Sequence, residues 1–371
     1  MGAFNGHLNS NEIFAALYNM IISQQVFADN IKGTKSALVD MARVDGGLYG
    51  DTKLYYSTDV LHSEPWGADA EANNLLKLYR PEDPECQAIT LNVFRQISLT
   101  VDNYLSKRAW SDEGAFSSFN SVMLGWIRET KRIYDATTYN TFIGTAKSAK
   151  ASENIEIDVT TAVNGLTGEE KARVEAQVIA EEIAKLLVNL EDISRDYNDY
   201  GNLRSYNAAD LVFVWNTDAM AKIEKRDLPT IFHKEIMDKF GEYTLPARYF
   251  GNVNADSKTG DGKTIRSLVE QVVKKASSPD VRVFAGDLIP TGYTVEAGKS
   301  YTVDKDVLFK VYHKGPNSVP YMSAFEVGTS FFNAKSLTEN HYLTWGHNTL
   351  EYLKNYPFIT VKQKWSSIQV L

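Results

Sequence analysis

The chain holds a single cysteine, Cys86, among 371 residues. One thiol closes no intrachain disulfide and builds no cysteine-based metal cluster. It stands beside Pro84 and Glu85, a poor place to lower a thiol pKa, so it reads as a reduced bystander. Long apolar runs are missing as well: no stretch approaches the roughly 20 residues that cross a bilayer. The opening MGAFNGHLNSNEIF lacks the basic start and apolar run of a signal peptide. Gly6 stands where a myristoylation signal wants Ser or Thr. The expectation is a soluble protein made in a cytoplasm, with no membrane partner. Positive charge is also short: 39 Lys and Arg stand against 47 Asp and Glu, a net charge of -8. Tight nucleic-acid binding needs a basic surface to neutralise phosphates. A chain of this balance is expected to sit near nucleic acid without sticking to it.

Catalytic patterns are scarce. The six histidines (His7, His62, His233, His313, His341 and His347) include no pair with H-E-x-x-H spacing. No G-x-S-x-G elbow is present. The acidic pairs Glu169-Glu170, Glu181-Glu182 and Glu191-Asp192 fall at helix starts, on polar faces or in turns, and read as solvated surface. The strongest enzyme signal is Gly262-Lys263-Thr264, the ending of a phosphate-binding loop. Its first glycine should fall at 257, which is Ser257. The apolar run LVFVW ends in Asn216 and Thr217, with Asp218 beyond, so it offers no clear magnesium partner. The triplet therefore reads as a polar loop in which Thr264 caps a helix carrying Ile265, Leu268 and Val272. Asn252, Asn254 and Asp256 alternate like calcium ligands, but Ser257 and Lys263 occupy the positions of the EF-hand glycine and glutamate. No catalytic residue, cofactor or metal ligand is assigned.

What is present is ordinary for a folded protein: 43% hydrophobic and 23% charged residues. The length implies two compact units, or one unit with large extensions. Aromatics are a little rich, with 20 Tyr and 17 Phe. That surplus fits either surfaces that meet other proteins or a tyrosine-rich core.

Along the chain, Asn9 to about Phe27 has helical spacing, with Ile13, Leu17 and Met20 on one side. Residues from about 45 to 105 differ. Lys53, Tyr55 and Ser57 alternate with Leu54 and Tyr56. Ile89, Leu91, Val93, Arg95, Ile97, Leu99 and Val101 alternate on one face. Between the two runs lies a polar excursion with Pro81 and Pro84. Two strands joined in this way make an extended hairpin, which is marginal alone and better placed on a neighbouring molecule. Ser111 to Ala136 predicts a long helix with a stripe of Phe116, Phe119, Met123, Trp126 and Ile133. Residues 154–163 predict a strand. Thr167 and Glu170 form a capping box before a helix striped by Val174, Val178, Ile183, Leu187 and Leu190. Leu211 to Trp215 predicts a buried strand, and Thr217-Asp218 caps the next helix. A further helix is expected from Pro229. Beyond Ser277 the signals are of strands. Helix, buried strand and helix are α/β packing, but the arm, the hairpin and the long helix precede it and cannot bury themselves. They imply a homo-oligomer whose neighbours bury them.

This order of parts resembles the major capsid proteins of tailed phages, the Hong Kong 97 type of fold. Within it, SRDYNDYGNLRSYNAADLVFVWNTDAMAKIE is similar to the capsid proteins of phi-29-like short-tailed phages. The matching residues are Ser194 to Asn198, Arg204-Ser205 and Asp210-Leu211, followed by the strand to Trp215. The resemblance implies an α+β fold with an N-terminal arm (1–44) and an extended loop (45–110). It then implies a spine helix and peripheral domain (111–166), an axial domain (167–304) and return strands of both domains (305–371). It implies a shell protein, not an enzyme, that assembles with itself as pentamers and hexamers of an icosahedral head around double-stranded DNA. No long scaffold-like segment is evident at the N-terminus, so a separate scaffolding protein is expected, with a portal. Lys53, Trp66, Arg80 and Glu82 of the extended loop and Lys263 of the axial domain are the candidate contacts with neighbours. Lys53 is in the right loop for the covalent crosslink of part of the family, without identifiable partners. The competing functions are an encapsulin-like shell, a nucleotide-binding enzyme using Gly262-Lys263-Thr264, and a carbohydrate-binding surface protein.

Overall fold

The computed structural model describes residues 37–45, 47, 50–63, 78, 80–102, 113–224, 241–255, 271–274, 281–283, 294–295, 299–304 and 306–364. The chain opens with α1 (Ala37–Ala42), β1 (Arg43–Asp45), β2 (Thr52–Ser57), β3 (Glu85–Asp102) and α2 (Glu113–Thr145). Next come β4 (Asn154–Asp158), α3 (Gly168–Glu191), β5 (Leu211–Asn216), α4 (Thr217–Glu224) and β6 (Gly241–Leu245). Five short strands follow: β7 (Gly251–Ala255), β8 (Gln271–Lys274), β9 (Val281–Val283), β10 (Thr294–Val295) and β11 (Lys299–Val303). The last four are β12 (Val307–His313), β13 (Tyr321–Asn333), β14 (Thr338–Asn348) and β15 (Phe358–Lys364).

A central sheet has the order β4-β15-β12-β5-β6. Its outer pairs are parallel and its inner pairs antiparallel. Strand β5 is buried at every position. Leu211, Phe213 and Trp215 face α3 through Ile179, Ile183, Leu186 and Leu190. Val212 and Val214 face the other way, toward Tyr139 and Ile143 of α2. A strand covered on both faces has no solvent side, which is why it reads as an unbroken apolar run.

A second sheet has the order β1-β13-β14-β3-β2. The 18-residue β3 forms its spine: its first six residues pair with β2 and the rest with β14. Every odd position from Ile89 to Val101 is at least partly buried, and the even ones from Asn92 to Thr100 are exposed. The alternation in the sequence is thus the pleat of one half-buried strand. In β2, Lys53, Tyr55 and Ser57 take the inward side, as their alternation predicts.

Helix α2, about 50 Å long at 1.5 Å per residue, joins the two sheets. Ile127 and Tyr134 pack on Leu343 and Trp345 of the hairpin sheet. Tyr139 and Ile143 reach the central sheet. It runs nine residues past Ala136, the expected end. The segment TTYNTFIGT is poor in helix formers, but its hydroxyls bond within the helix. Thr141 donates to the Thr137 carbonyl (2.6 Å) and Thr145 to that of Thr141 (2.7 Å). Its buried apolar side chains among the described residues are Ile127, Ala136, Tyr139 and Ile143; Trp126 and Ile133 are only half-buried, so the stripe is rotated from the expected one. The side chains of Phe116, Phe119 and Met123 lie outside the described residues.

Other expectations also shift. The strand at 154–163 stops at Asp158, whose carboxylate accepts from the Thr160 N–H (2.9 Å) and turns the chain. Thr167 stands at the N-cap of α3, but its side chain makes no capping bond. The buried face of α3 is Ala176, Ile179, Ile183, Leu186 and Leu190, with Val178 and Leu187 at its margin. Asn216, not Thr217 or Asp218, caps α4: its Oδ1 accepts from the Asp218 N–H (3.1 Å). Asn252 and Asn254 belong to β7, paired with Thr302 and Ser300, while Asp256, Ser257 and Lys263 lie outside the described residues. Val272 lies in β8, where a helix was expected. Trp66, the Gly262-Lys263-Thr264 triplet, the 9–27 helix and the helix from Pro229 lie outside the described residues.

Candidate functional site: the base of the extended hairpin

Strands β2 and β3 pair antiparallel from Thr52↔Thr90 to Ser57↔Glu85, so the expected hairpin is present at its base. The chain leaves β2 through Ser57, Thr58 and Asp59. These residues meet the loop between α3 and β5, more than a hundred residues on. That loop carries the Ser-Arg-Asp-aromatic-Asn and Arg-Ser residues singled out in the sequence.

The loop is first closed on itself. Ser194 and Arg204 form a backbone bridge, with N–O distances of 2.9 and 3.0 Å in the two directions. Asn198 is fully buried; it donates to the Asn202 carbonyl (2.8 Å) and accepts from the Asn202 N–H (2.8 Å). Gly201, at φ +72°, makes the tight return that this reciprocal pair needs. Lys150 adds bonds to the carbonyls of Arg195 and Asn198 from below.

The closed loop then holds the hairpin. Asn202 Nδ2 donates to Ser57 Oγ (2.8 Å), and Ser57 donates to Asn355 Oδ1 (2.5 Å). Arg204 Nη2 donates to the Thr58 carbonyl (2.6 Å). Asp59 accepts from the Leu203 N–H (2.8 Å) and from Arg195 Nη1 (2.5 Å). Those bonds, the backbone N–H of Leu203 first and then Arg195, hold the Asp59 carboxyl down at about 2. On the β3 side, Gln87 donates to the Tyr352 carbonyl (3.0 Å) and accepts from the Lys354 N–H (3.0 Å). Asp199 ties the same segment to the core through Ser148 (2.8 Å) and Tyr352 (2.7 Å).

The contacts are polar and directional, so they set the angle at which the hairpin leaves the body. The groups are engaged with one another and with backbone: Ser57 with Asn202 and Asn355, Asp59 with Arg195 and the Leu203 N–H, and Arg204 with the Thr58 carbonyl. Among the described residues, no group of three or more His, Cys, Asp or Glu gathers as a metal site. No helix among them is long and apolar enough to cross a membrane.

Of the candidate contact residues, Lys53 lies on β2 opposite Ile89, half-buried. Arg80 and Glu82 are exposed, just before β3. Sequence reasoning recognised Arg195, Asn198 and Arg204 as a motif without a task. It missed Ser57, Asp59 and Asn355, for which local spacing carries no signal.

An α+β body with two five-stranded sheets bridged by one long helix, and a hairpin clamped at its base, is the architecture of a phage shell subunit of the Hong Kong 97 type. Two solved structures share it. One is the capsid of Staphylococcus phage Andhra, with TM-score 0.61 and 11% identity, covering 92% of this chain and 87% of that one. The other is a chain in the structure of the head fiber and inner core protein of bacteriophage P68, with TM-score 0.59 and 10% identity, covering 91% and 87%. No curated protein matches in sequence. The family model of the Phi29-like phage major capsid proteins matches residues 4–360, and the chain belongs to that family. It is a shell-forming structural protein of the phage virion.

Proposed function

We propose that copies of the chain close into an icosahedral head around double-stranded DNA, each laying its extended hairpin across a neighbour. The family match over residues 4–360 carries this reading. Residues 1–44 act as an arm and 45–110 as the extended loop. Residues 111–166 serve as the spine helix and peripheral domain, 167–304 as the axial domain, and 305–371 as return strands of both. Lys53, Arg80 and Glu82 are offered to the neighbouring subunit, as are Trp66 and Lys263. The net charge of -8 suits an inner wall that confines DNA without gluing it. Synthesis takes place in the bacterial host cytoplasm, with a separate scaffolding protein and a portal as partners. Catalysis has no part in this role, and Gly262-Lys263-Thr264 binds no nucleotide.

The test is negative-stain microscopy of the expressed chain, alone and with the products of neighbouring genes. Uniform shells, rings of five or six, or tubes are expected. A strictly monomeric species under all these conditions would sink the proposal. ATP titration of the wild-type chain and of Lys263→Ala is expected to show no binding by either. Binding lost in the variant would favour an enzyme.

A further inference from the structure

Strand β13 has one edge paired with β14 along its length, from Ser323↔His347 to Asn333↔Thr338. Its other edge is paired with β1 only over Tyr321–Ser323. Among the described residues, nothing pairs with that edge beyond Ser323. All seven residues from Glu326 to Phe332 are exposed. Successive side chains of a strand point to opposite faces, so this segment is open on both faces and along its edge.

Such an edge is a hazard that soluble proteins blunt with lysine, proline or a covering element. The sequence EVGTSFF carries none of these. Its one charge, Glu326, is engaged by Lys131 at 3.4 Å. Instead the edge is apolar: Phe331 is 64% exposed, Phe332 51% and Val327 44%. Gly328 has open space around it, which permits another backbone to come close. The turn beyond the strand adds Leu337, held at φ +53° and 42% exposed. A branched side chain in the left-handed region is strained, and folding alone would favour Gly or Asn there. Strain retained at an exposed apolar residue points to a contact.

We propose that the outer edge of β13, Glu326–Phe332, is a docking edge that takes a β-strand from a second copy of this chain. Only an extended segment satisfies the row of unpaired N–H and C=O groups. Phe331 and Phe332 lie on opposite faces, so a strand alongside covers the flank of each, whereas a helix on one face covers one. Seven residues span about 23 Å and bury well under the roughly 800 Å² per partner of a stable pairwise interface. The edge therefore works as one contact among several, as in a closed shell of repeated copies. The inference rests on the shell-forming reading.

The experiment compares amide hydrogen exchange in unassembled chain and in assembled shells. Lysine cross-linking of shells made from mixed ¹⁴N and ¹⁵N chains accompanies it. Exchange at 326–332 is expected to slow at least tenfold on assembly, with Lys335 cross-linked between isotopically different copies. The double variant Val327→Lys/Phe331→Lys is expected to keep the unassembled chain's circular dichroism and lose shells. Shells whose 326–332 amides exchange as in the free chain would overturn the inference and leave the shell reading standing. So would protection already present in the unassembled chain, cross-links only to a different protein, or a double variant that assembles normally. Absence of any shell or oligomer from the wild-type chain would overturn both.

Discussion

Arg195 Nη1 lies 2.5 Å from Asp59 Oδ2, joining residues 136 positions apart across the base of the hairpin. The hairpin is fastened to the body by this ion pair and its neighbours, Arg204 to Thr58 and Asn202 to Ser57. Asp59→Ala should loosen the base without touching the core. Amide exchange of Thr52–Ser57 is expected to quicken while Leu211–Asn216 stays protected, and cleavage within 58–84 should accelerate. Unchanged exchange in β2 would remove the clamp from the account. The carboxyl is held below its ordinary 3.8, so its contribution is complete above pH 3.8 and is lost as pH falls toward about 2.

Asp135 is fully buried in the middle of α2 and serves three donors: Arg43 (3.0 Å), Lys131 (3.0 Å) and Tyr321 (2.6 Å). The cluster ties α1–β1 and β13 to the long helix. Asp135→Ala leaves two cations without their shared carboxylate, a loss of about 3 kcal/mol by analogy with broken buried pairs. Denaturant unfolding of the unassembled chain measures it. Tyr321→Phe removes one bond and keeps the ring, and should cost about 1 kcal/mol.

Two glycines of one helix should respond with opposite sign. A Cβ on Gly144 would stand 2.0 Å from the Tyr249 carbonyl oxygen and 2.6 Å from its carbon. Backbone cannot yield as a flexible side chain does, so Gly144→Ala is expected to destabilise by about 3 kcal/mol. Gly125 has nothing within 4 Å of its Cβ position. Gly125→Ala should stabilise by about 0.5–1 kcal/mol, because Gly is a poor helix former. Thermal melts of both variants decide the matter.

Lys310 is buried in the central sheet, where its ammonium donates to the Ala146 carbonyl (2.5 Å) and to Thr360 (2.7 Å). Burial, with Lys147 and Lys362 nearby, pushes its pKa down from 10.5 to about 7. Between those values the unfolded chain carries a proton that the folded chain lacks. The group therefore makes stability rise with pH from about 7 to 10.5. Lys310→Met should remove that rise. Unfolding curves at pH 7 and pH 10 are expected to converge for the variant relative to the wild type; an identical pH slope would refute the assignment.

How much was legible beforehand depends on the range of the signal. The pleat of β3, the solid run of β5 and the hairpin of β2 with β3 all come from patterns of a few residues, and short-range pattern is what backbone periodicity prints on a sequence. Where local chemistry is ambiguous, tertiary packing decides. The Thr-rich end of α2 has weak helix propensity, and packing of Tyr139 and Ile143 on the central sheet overrides it. The stripe of α3 was rotated because two sets of apolar residues share that helix, and only the sheet selects between them.

By itself, the sequence determined the strand alternation, the buried strand and the want of any complete catalytic motif. It also carried the motif from Ser194 to Ser205, without saying what those residues hold. Only the tertiary structure decided that. Ser57 meets Asn202 at a separation of 145 residues, and Asp135 meets Tyr321 at 186. Such pairs exist because the chain closes two sheets around one helix. That closure joins positions with no local relation, so no spacing in the sequence could mark them.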